Sequence, residues 1–385
     1  MKTKVESTKK EGLRTKNPRA PIALMTCESG RAFAESVALQ MGIKLLPTNE
    51  TWFACGEGKF EIGANVRGHD VYIFQSTAGP QDERSIYDRF LMLLHAVEAA
   101  ALSDAQYITA VVPYYPGARQ DKRKGRTREG ISAGLFARMM QSAGTDRVMT
   151  VEIHNDSIAG MFNPSVSHLE NVFLTRQLVS WLRRQNLTGD VVVSPDVGYL
   201  ERARAYAEEL SADLAALSKE RDYSKPNHVF RSTLIGEVRD RDVLLVDDII
   251  DTAESVVSAI DELKKQGARN INVACVHPLF NGSAWQRLTD IRTRAENEGW
   301  EFNMVGTSVI CHEDTPHWYH TFHIEPLIAQ VLEKINSRGS VTGVHNDAPC
   351  QEHPINYSVS YDFTQHHDDQ HNYHYSVPNG GLMRD

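Results

Sequence analysis

The chain of 385 residues has no apolar run approaching the length of a membrane span, and its N-terminus lacks the apolar core of a signal peptide. These absences predict an intracellular, cytoplasmic protein with no membrane partner. Cysteine is scarce and scattered. Cys27, Cys55, Cys275, Cys311 and Cys350 form no C-x-x-C pair, which speaks against a disulfide framework and against a structural zinc site. An excess of positive charge is also missing. A net charge of −9 argues against general nucleic-acid binding, so an anionic ligand must be held by local basic clusters. No convincing internal repeat is visible. What remains is 41% hydrophobic and 24% charged, enough for a large core, and the length predicts two domains.

One stretch organises the rest. Val243-Leu-Leu-Val246 reads as a buried parallel strand, because four apolar residues follow one another without alternation. Asp247, Asp248 and Asp251 come next, then Thr252, Ala253, Glu254 and Ser255. Val256, Val257, Ile260 and Leu263 then share one helical face. Strand, acidic edge, loop and helix in that order set the carboxylates at a strand's carboxyl end, where open α/β sheets bind ligands. The helix N-terminus offers N–H groups to a phosphate. Adjacent carboxylates can accept from sugar hydroxyls or hold a metal. A helix capped by Asp251 accounts for one aspartate but leaves Asp247 and Asp248 unexplained. The stretch is therefore read as a sugar-phosphate site.

The chain on either side repeats a strand–helix rhythm. Residues 1–20 are rich in Lys, Arg, Glu and Thr without apolar periodicity and read as a mobile arm. Strands are predicted at 21–25, 71–75, 107–112 and 148–153, with helices near 31–41, 86–97 and 131–143. After Pro113 comes a basic loop, 118–129, with six cations in the ten residues from Arg119 to Arg128. Such a run is usually solvated or bound to nucleic acid. Its place after a strand's carboxyl end favours polyphosphate here. His154, beside Asn155 and Asp156 at the next strand end, is either structural or a metal ligand. The second half continues with strands at 191–193, 214–217, 270–276 and 302–309 and helices near 199–210, 283–297 and 324–337. Alternation of this kind predicts parallel sheets with helices on both faces. The expected division is an arm at 1–20, α/β domains at 21–165 and 166–342, and a tail at 343–385. That tail carries His345, His353, His366, His367, His371 and His374 without a distinctive ligand spacing, and reads as disordered or loosely docked.

The acidic stretch resembles the phosphoribosyl-diphosphate loop of type I phosphoribosyltransferases and of ribose-phosphate pyrophosphokinases. The ordered set of motifs over roughly residues 20–342 resembles the second family. It comprises Phe53-Ala-Cys-Gly-Glu57, Asn65-Val-Arg-Gly68, Gln75-Ser-Thr77, Pro113-Tyr-Tyr-Pro-Gly-Ala-Arg-Gln-Asp121 and Arg128-Glu-Gly-Ile-Ser132. Val151-Glu-Ile-His154, Ser194-Pro-Asp196, Lys219-Glu-Arg221 and Val246-Asp-Asp248 continue it. Single motifs are weak, and their shared order makes the resemblance specific. It implies an α/β fold of two related type I phosphoribosyltransferase-like domains, each a mainly parallel sheet flanked by helices. It also implies transfer of the β,γ-diphosphoryl group of ATP to the anomeric hydroxyl of a ribose 5-phosphate unit, with release of AMP and with Mg²⁺ as cofactor. A homo-oligomer is implied, a dimer or hexamer, because Phe53 and Glu57 match positions lining an adenine site across a subunit interface. Arg119, Gln120 and Asp121 match the loop that grips ATP. His154, also an ATP-site position, and Asp196 match magnesium-site positions. Lys219 and Arg221 match a mobile loop closing over the reacting phosphates. Asp247 and Asp248 match ribose-hydroxyl contacts, Asp247 being a candidate catalytic acceptor, and Asp251, Thr252, Ala253, Glu254 and Ser255 match the 5-phosphate loop.

Three departures from the family pattern stand out. The phosphate loop, Asp-Thr-Gly/Ala-Gly-Thr in the family, has Glu254 in place of a glycine. Two unit charges about 4 Å apart repel by about 4 kcal/mol at an effective dielectric of 20, roughly a thousandfold in binding. The other reading turns Glu254 to solvent in the first helical turn, where a carboxylate is favourable. Ser-Pro-Asp-x-Gly-Gly becomes Ser194-Pro-Asp196-Val197-Gly198-Tyr199, and the tyrosine brings a stacking surface. Cys55 stands where the family usually has Asp or Asn. The first two changes raise an acceptor with a substituted 5-phosphate, ADP-ribose, beside ribose 5-phosphate itself. A catalytically silent regulatory subunit is a further expectation of another class, set against the presence of His154, Asp196, Lys219, Arg221, Asp247 and Asp248.

Overall fold

The structure is a computed structural model and describes residues 18–79, 84–123, 125, 127–221 and 229–346. The first half runs β1 (Ile22–Thr26), α1 (Arg31–Met41), β2 (Thr48–Trp52), β3 (Gly58–Ile62), β4 (Asp70–Phe74), α2 (Ile86–Leu102), β5 (Tyr107–Val111), α3 (Ser132–Ala143), β6 (Arg147–Val151) and β7 (His168–Val172). The second runs α4 (Thr175–Gln185), β8 (Val191–Ser194), α5 (Leu200–Leu210), β9 (Asp213–Arg221), β10 (Val229–Ile235), β11 (Val243–Ile250), α6 (Glu254–Lys265), β12 (Ile271–Pro278), α7 (Ala284–Glu298), β13 (Phe302–Thr307), β14 (Tyr319–Phe322), α8 (Glu325–Asn336) and α9 (Val341–Asn346). This is the α/β arrangement that the alternation predicts.

Two main sheets result. The first has the order β1-β4-β5-β6-β7, all parallel. Its inner strand β4 is buried at every position, as a strand covered on both faces must be. The second has the order β10-β9-β8-β11-β12-β13-β14 and is parallel except at its β9–β10 edge. A separate antiparallel hairpin, β2–β3, carries residues 53–57 at its tip.

Several expectations need correction. Lys219 to Arg221 do not begin a loop. They extend β9 and pair with β10, a strand not expected from sequence because Arg231, Ser232 and Thr233 interrupt its apolar residues. The expected arm at 1–20 ends early, since Arg19 and Ala20 belong to the fold. Arg19 forms a two-pronged ion pair with fully buried Asp70, at 2.6 and 2.7 Å, and lies over the Tyr107 ring. Asn336 at the end of α8 donates to the Ala20 carbonyl and to Asp70. A buried carboxylate satisfied in this way is tolerable, and the network ties the last long helix to the first sheet. The expected tail boundary at 343 falls inside α9, where Val344 is buried and His345 meets the Phe173 ring edge-on. The remaining tail histidines lie outside the described residues.

The two halves share a core. One apolar cluster joins Phe33, Val37 and Met41 of α1 to Ile328, Leu332 and Ile335 of α8, while each sheet keeps a second cluster of its own. Polar contacts join the halves as well. Arg202 of α5 pairs with buried Glu152 beyond β6 at 2.6 Å, and His277 of β12 makes its ring hydrogen bond with the Val151 carbonyl at 3.0 Å. Both contacts sit at the carboxyl ends of the strands. Among the described residues no helix is long and apolar enough to cross a membrane.

Candidate active site

β11 decides where the acidic edge lies. It pairs with β8 only over Val243–Leu245 but with β12 as far as Ile250. Beyond Leu245 one side of the strand is therefore open, and Asp247 and Asp248 occupy that opening. Asp247 folds back so that its Oδ1 accepts the Asp248 N–H at 2.9 Å. Asp248 reaches the other half, where its Oδ2 meets Nδ1 of His154 at 2.5 Å. Burial works against ionisation of Asp248, but the His154 bond and charge outweigh it and lower its pKa. Burial, then the Asp248 charge, pushes Asp247 well above the usual carboxylate range, and the Asp196 charge adds to this. The His154 imidazole is raised by its bond to Asp248 despite its partial burial. Asp247 and Asp248 are thus pushed in opposite directions, and the Asp248 carboxylate holds the His154 ring by Nδ1.

The turn after β11 leads into α6 without a side-chain cap. Ala253 enters α6 at φ 62°, in the left-handed region. Asp251 does not serve as the cap. Its Oδ2 accepts from Arg119 at 2.7 Å and its Oδ1 from Asn281 at 2.8 Å. The first N–H groups of α6 have no side-chain cap, the arrangement that favours a bound phosphate. Glu254 heads the helix, and its carboxylate pairs with Arg287 at 2.8 Å rather than facing an acceptor alone. Thr252 gives its carbonyl to the same guanidinium. Ser255 is exposed in the first turn.

The basic loop meets this turn. Arg119 is the direct link, through Asp251. Gln120 lies beside it with its Oε1 accepting from Ser132 at 2.6 Å, at the start of α3. Asp121 turns inward instead, is buried, and accepts from Asn155. Asp196 is exposed at the end of β8, where its Oδ1 accepts the Tyr199 N–H at 3.1 Å. Tyr199, expected from sequence to bring a stacking surface, packs against the shared core. It is half-buried there, and its hydroxyl is pushed to a high pKa first by burial, then by Tyr206 and Glu152. Phe53 and Glu57 sit apart, exposed at the tip of the β2–β3 hairpin, where the Phe53 N–H donates to the Glu57 carbonyl at 2.9 Å. Lys219 and Arg221 are placed by the backbone at the C-terminal end of β9, paired with β10.

Four residues that sequence reasoning does not single out support the site. Asn281 and Arg287 hold the turn at 251–254 from the β12–α7 side. Glu152 (φ 40°) spends its buried carboxylate on Arg202 and the Leu174 N–H. His277 underlies the cluster as a neutral imidazole, its pKa lowered to about 4 by burial. Only Asn281-Gly282 carried a legible signal, a turn dipeptide directly after a strand's carboxyl end.

No group of three or more His, Cys, Asp or Glu residues able to hold a metal occurs among the described residues. Magnesium needs few protein ligands when it arrives with phosphate oxygens and water. The His154–Asp248 bond is of the kind that orients a ligating imidazole, leaving Nε2 for a ligand. The donors present fit a metal brought in with a polyphosphate.

Comparison with known proteins bears on the same residues. Residues 22–144 match the family model described as the N-terminal domain of ribose phosphate pyrophosphokinase, and residues 165–309 match the phosphoribosyl transferase domain. The ribose-phosphate pyrophosphokinase of Chromobacterium violaceum is 35% identical over 328 residues, 85% of this chain and 95% of that protein. That of Burkholderia pseudomallei is 38% identical over 267 residues, 69% of this chain and 81% of that protein. The crystal structure of phosphoribosylpyrophosphate synthetase from Mycobacterium smegmatis aligns with a TM-score of 0.73 at 28% identity, covering 83% of this chain and 100% of that one. The chain therefore belongs to the ribose-phosphate pyrophosphokinase family of diphosphotransferases.

Proposed function

We propose that the protein transfers the β,γ-diphosphoryl group of ATP to the anomeric 1-hydroxyl of ribose 5-phosphate, giving phosphoribosyl diphosphate and AMP. The names of its relatives support this reaction. The observation that carries it is the meeting of the two halves at His154–Asp248 and Arg119–Asp251. A transfer between two substrates needs their loops side by side, because positioning supplies most of the rate in phosphoryl chemistry.

In this reading Arg119 and Gln120 grip the triphosphate, and Phe53 and Glu57 receive adenine from a neighbouring subunit, so the working form is a dimer or hexamer. Asp247 and Asp248 receive the ribose hydroxyls, and 251–255 seats the 5-phosphate at the head of α6. The carboxyl of Asp247 can accept from a hydroxyl. Lys219 and Arg221 supply cations to the oxygens where charge develops. Asp196 and Nε2 of His154 would hold Mg²⁺, which neutralises the triphosphate and polarises the attacked phosphorus.

A second reading keeps the reaction and changes the acceptor to ADP-ribose, giving a 1-diphosphorylated ADP-ribose that could feed NAD synthesis. Glu254 favours it, as a largely exposed carboxylate beside the phosphate seat disfavours a terminal dianion more than a diester diphosphate. Against it stand the Arg287 partner of Glu254 and the inward-packed Tyr199.

The test is AMP release from Mg-ATP with each acceptor. Turnover with ribose 5-phosphate supports the first reading, and turnover with ADP-ribose alone replaces it by the second. Silence with both would sink both readings and leave a regulatory subunit.

A further inference from the structure

The acceptor turn is gripped by a residue with no assigned part in the transfer. Arg287 lies in the first turn of α7, its backbone N–H bonded to the Ser283 carbonyl at 3.0 Å. Its guanidinium divides between two partners on the turn. Nη1 donates to the Thr252 carbonyl at 2.7 Å, and Nη2 to Oε1 of Glu254 at 2.8 Å. Between those partners stands Ala253, in a left-handed conformation that an alanine does not adopt unaided. The planar fork of an arginine suits such a bridge, and a lysine could not span both partners in the same way.

Charge gives the contact a second consequence. The turn carries two carboxylates. Asp251 is answered by Arg119 and Asn281, and Glu254 by Arg287. We propose that Arg287 is a positioning residue that determines acceptor specificity. It cancels the Glu254 charge and fixes the Thr252–Glu254 turn, so that a phosphate can sit at the head of α6 beside a carboxylate. This rests on reading 251–255 as the seat of the acceptor's phosphate. Removing Arg287 leaves Glu254 facing the ligand, and a terminal phosphate dianion loses more than a diester diphosphate. Solvent and salt screen the exposed pair, so the loss is about tenfold rather than the thousandfold of an unscreened contact.

The experiment is steady-state AMP release by the full chain with Mg-ATP, using whichever of ribose 5-phosphate and ADP-ribose the wild type turns over. R287M should raise KM for the acceptor about tenfold while KM for ATP stays within about twofold. Adding E254Q to R287M should recover most of that loss. E254Q alone keeps the Arg287–Thr252 bond and leaves a cation unopposed, so KM for the acceptor should fall a few-fold. That variant carries the test if R287M does not fold. An acceptor KM unmoved in R287M, equal shifts for ATP and acceptor, no recovery by E254Q, or a rise in acceptor KM with E254Q alone would each overturn the proposal. A wild type that turns over neither acceptor overturns the underlying reading of the loop instead, and the proposal with it.

Discussion

Nδ1 of His154 and Oδ2 of Asp248 lie 2.5 Å apart although 94 positions separate them in the chain. The bond crosses between the two sheets at the carboxyl ends of β6 and β11. It sets the orientation of the imidazole, and the charge on Asp248 adds to the burial that raises the pKa of neighbouring Asp247. Replacing Asp248 by Asn removes the charge and the anchor while keeping the shape. AMP release by D248N should fall about a hundredfold, the scale of a misplaced reacting group. Turnover within threefold of wild type would show that the pair has no part in the transfer.

His277 gives the fold a calculable dependence on pH. Its folded pKa is about 4, pushed down by burial from an ordinary value of 6.5. Between those values the unfolded chain binds a proton that the folded chain refuses, so stability rises with pH across this window and falls as pH drops through it. The contribution lost between pH 6.5 and pH 4 is about 3 kcal/mol, from 1.36 kcal/mol per unit. Urea midpoints of wild type and H277Q, measured from pH 4.5 to 7, should converge as pH falls. Parallel profiles would mean that His277 titrates normally.

Ala253 supplies a prediction of opposite sign to most substitutions. Its left-handed backbone (φ 62°) costs an alanine about 1–2 kcal/mol, which glycine avoids. Glycine returns about 0.4–1 kcal/mol of that through the greater freedom of the unfolded chain. A253G should therefore be more stable by roughly 0.5 kcal/mol in urea denaturation. A loss of stability would mean that the side-chain contacts of buried Ala253 outweigh its strain.

Phe53 is 51% exposed at a hairpin tip, so its truncation removes little from the fold. F53A should unfold within about 0.5 kcal/mol of wild type. If the ring stacks on adenine, KM for ATP should rise about tenfold, since base stacking is worth about 1–3 kcal/mol. An unchanged KM for ATP would remove the hairpin from the nucleotide site.

Much of the scaffold follows from residue type and order. Val243 to Val246 are apolar without alternation, and a strand buried on both faces needs that pattern. Asp247 and Asp248 come next, but β11 continues to Ile250, and what opens the strand beside them is the end of the β8 pairing at Leu245. β10 was not legible in this way, because Arg231, Ser232 and Thr233 break its apolar residues into two pairs. The docking of Arg19 was hidden for a related reason. Its partner Asp70 is distant in sequence, and only burial makes that charge require an answer.

Glu254 marks the division between the two sources of information. From sequence alone its carboxylate either opposes a phosphate or points to solvent, since both follow from a first-turn position. Arg287 settles the matter by coming from another helix, 33 positions away. The packing of Tyr199 against the shared core is likewise not visible in its motif. Local order determined the strands, the acidic edge and the residue types of the site, because propensity and periodicity act over a few residues. Partners, protonation and which side chains face a ligand depend on contacts between β6 and β11, or between α6 and α7, and exist only once the chain has closed.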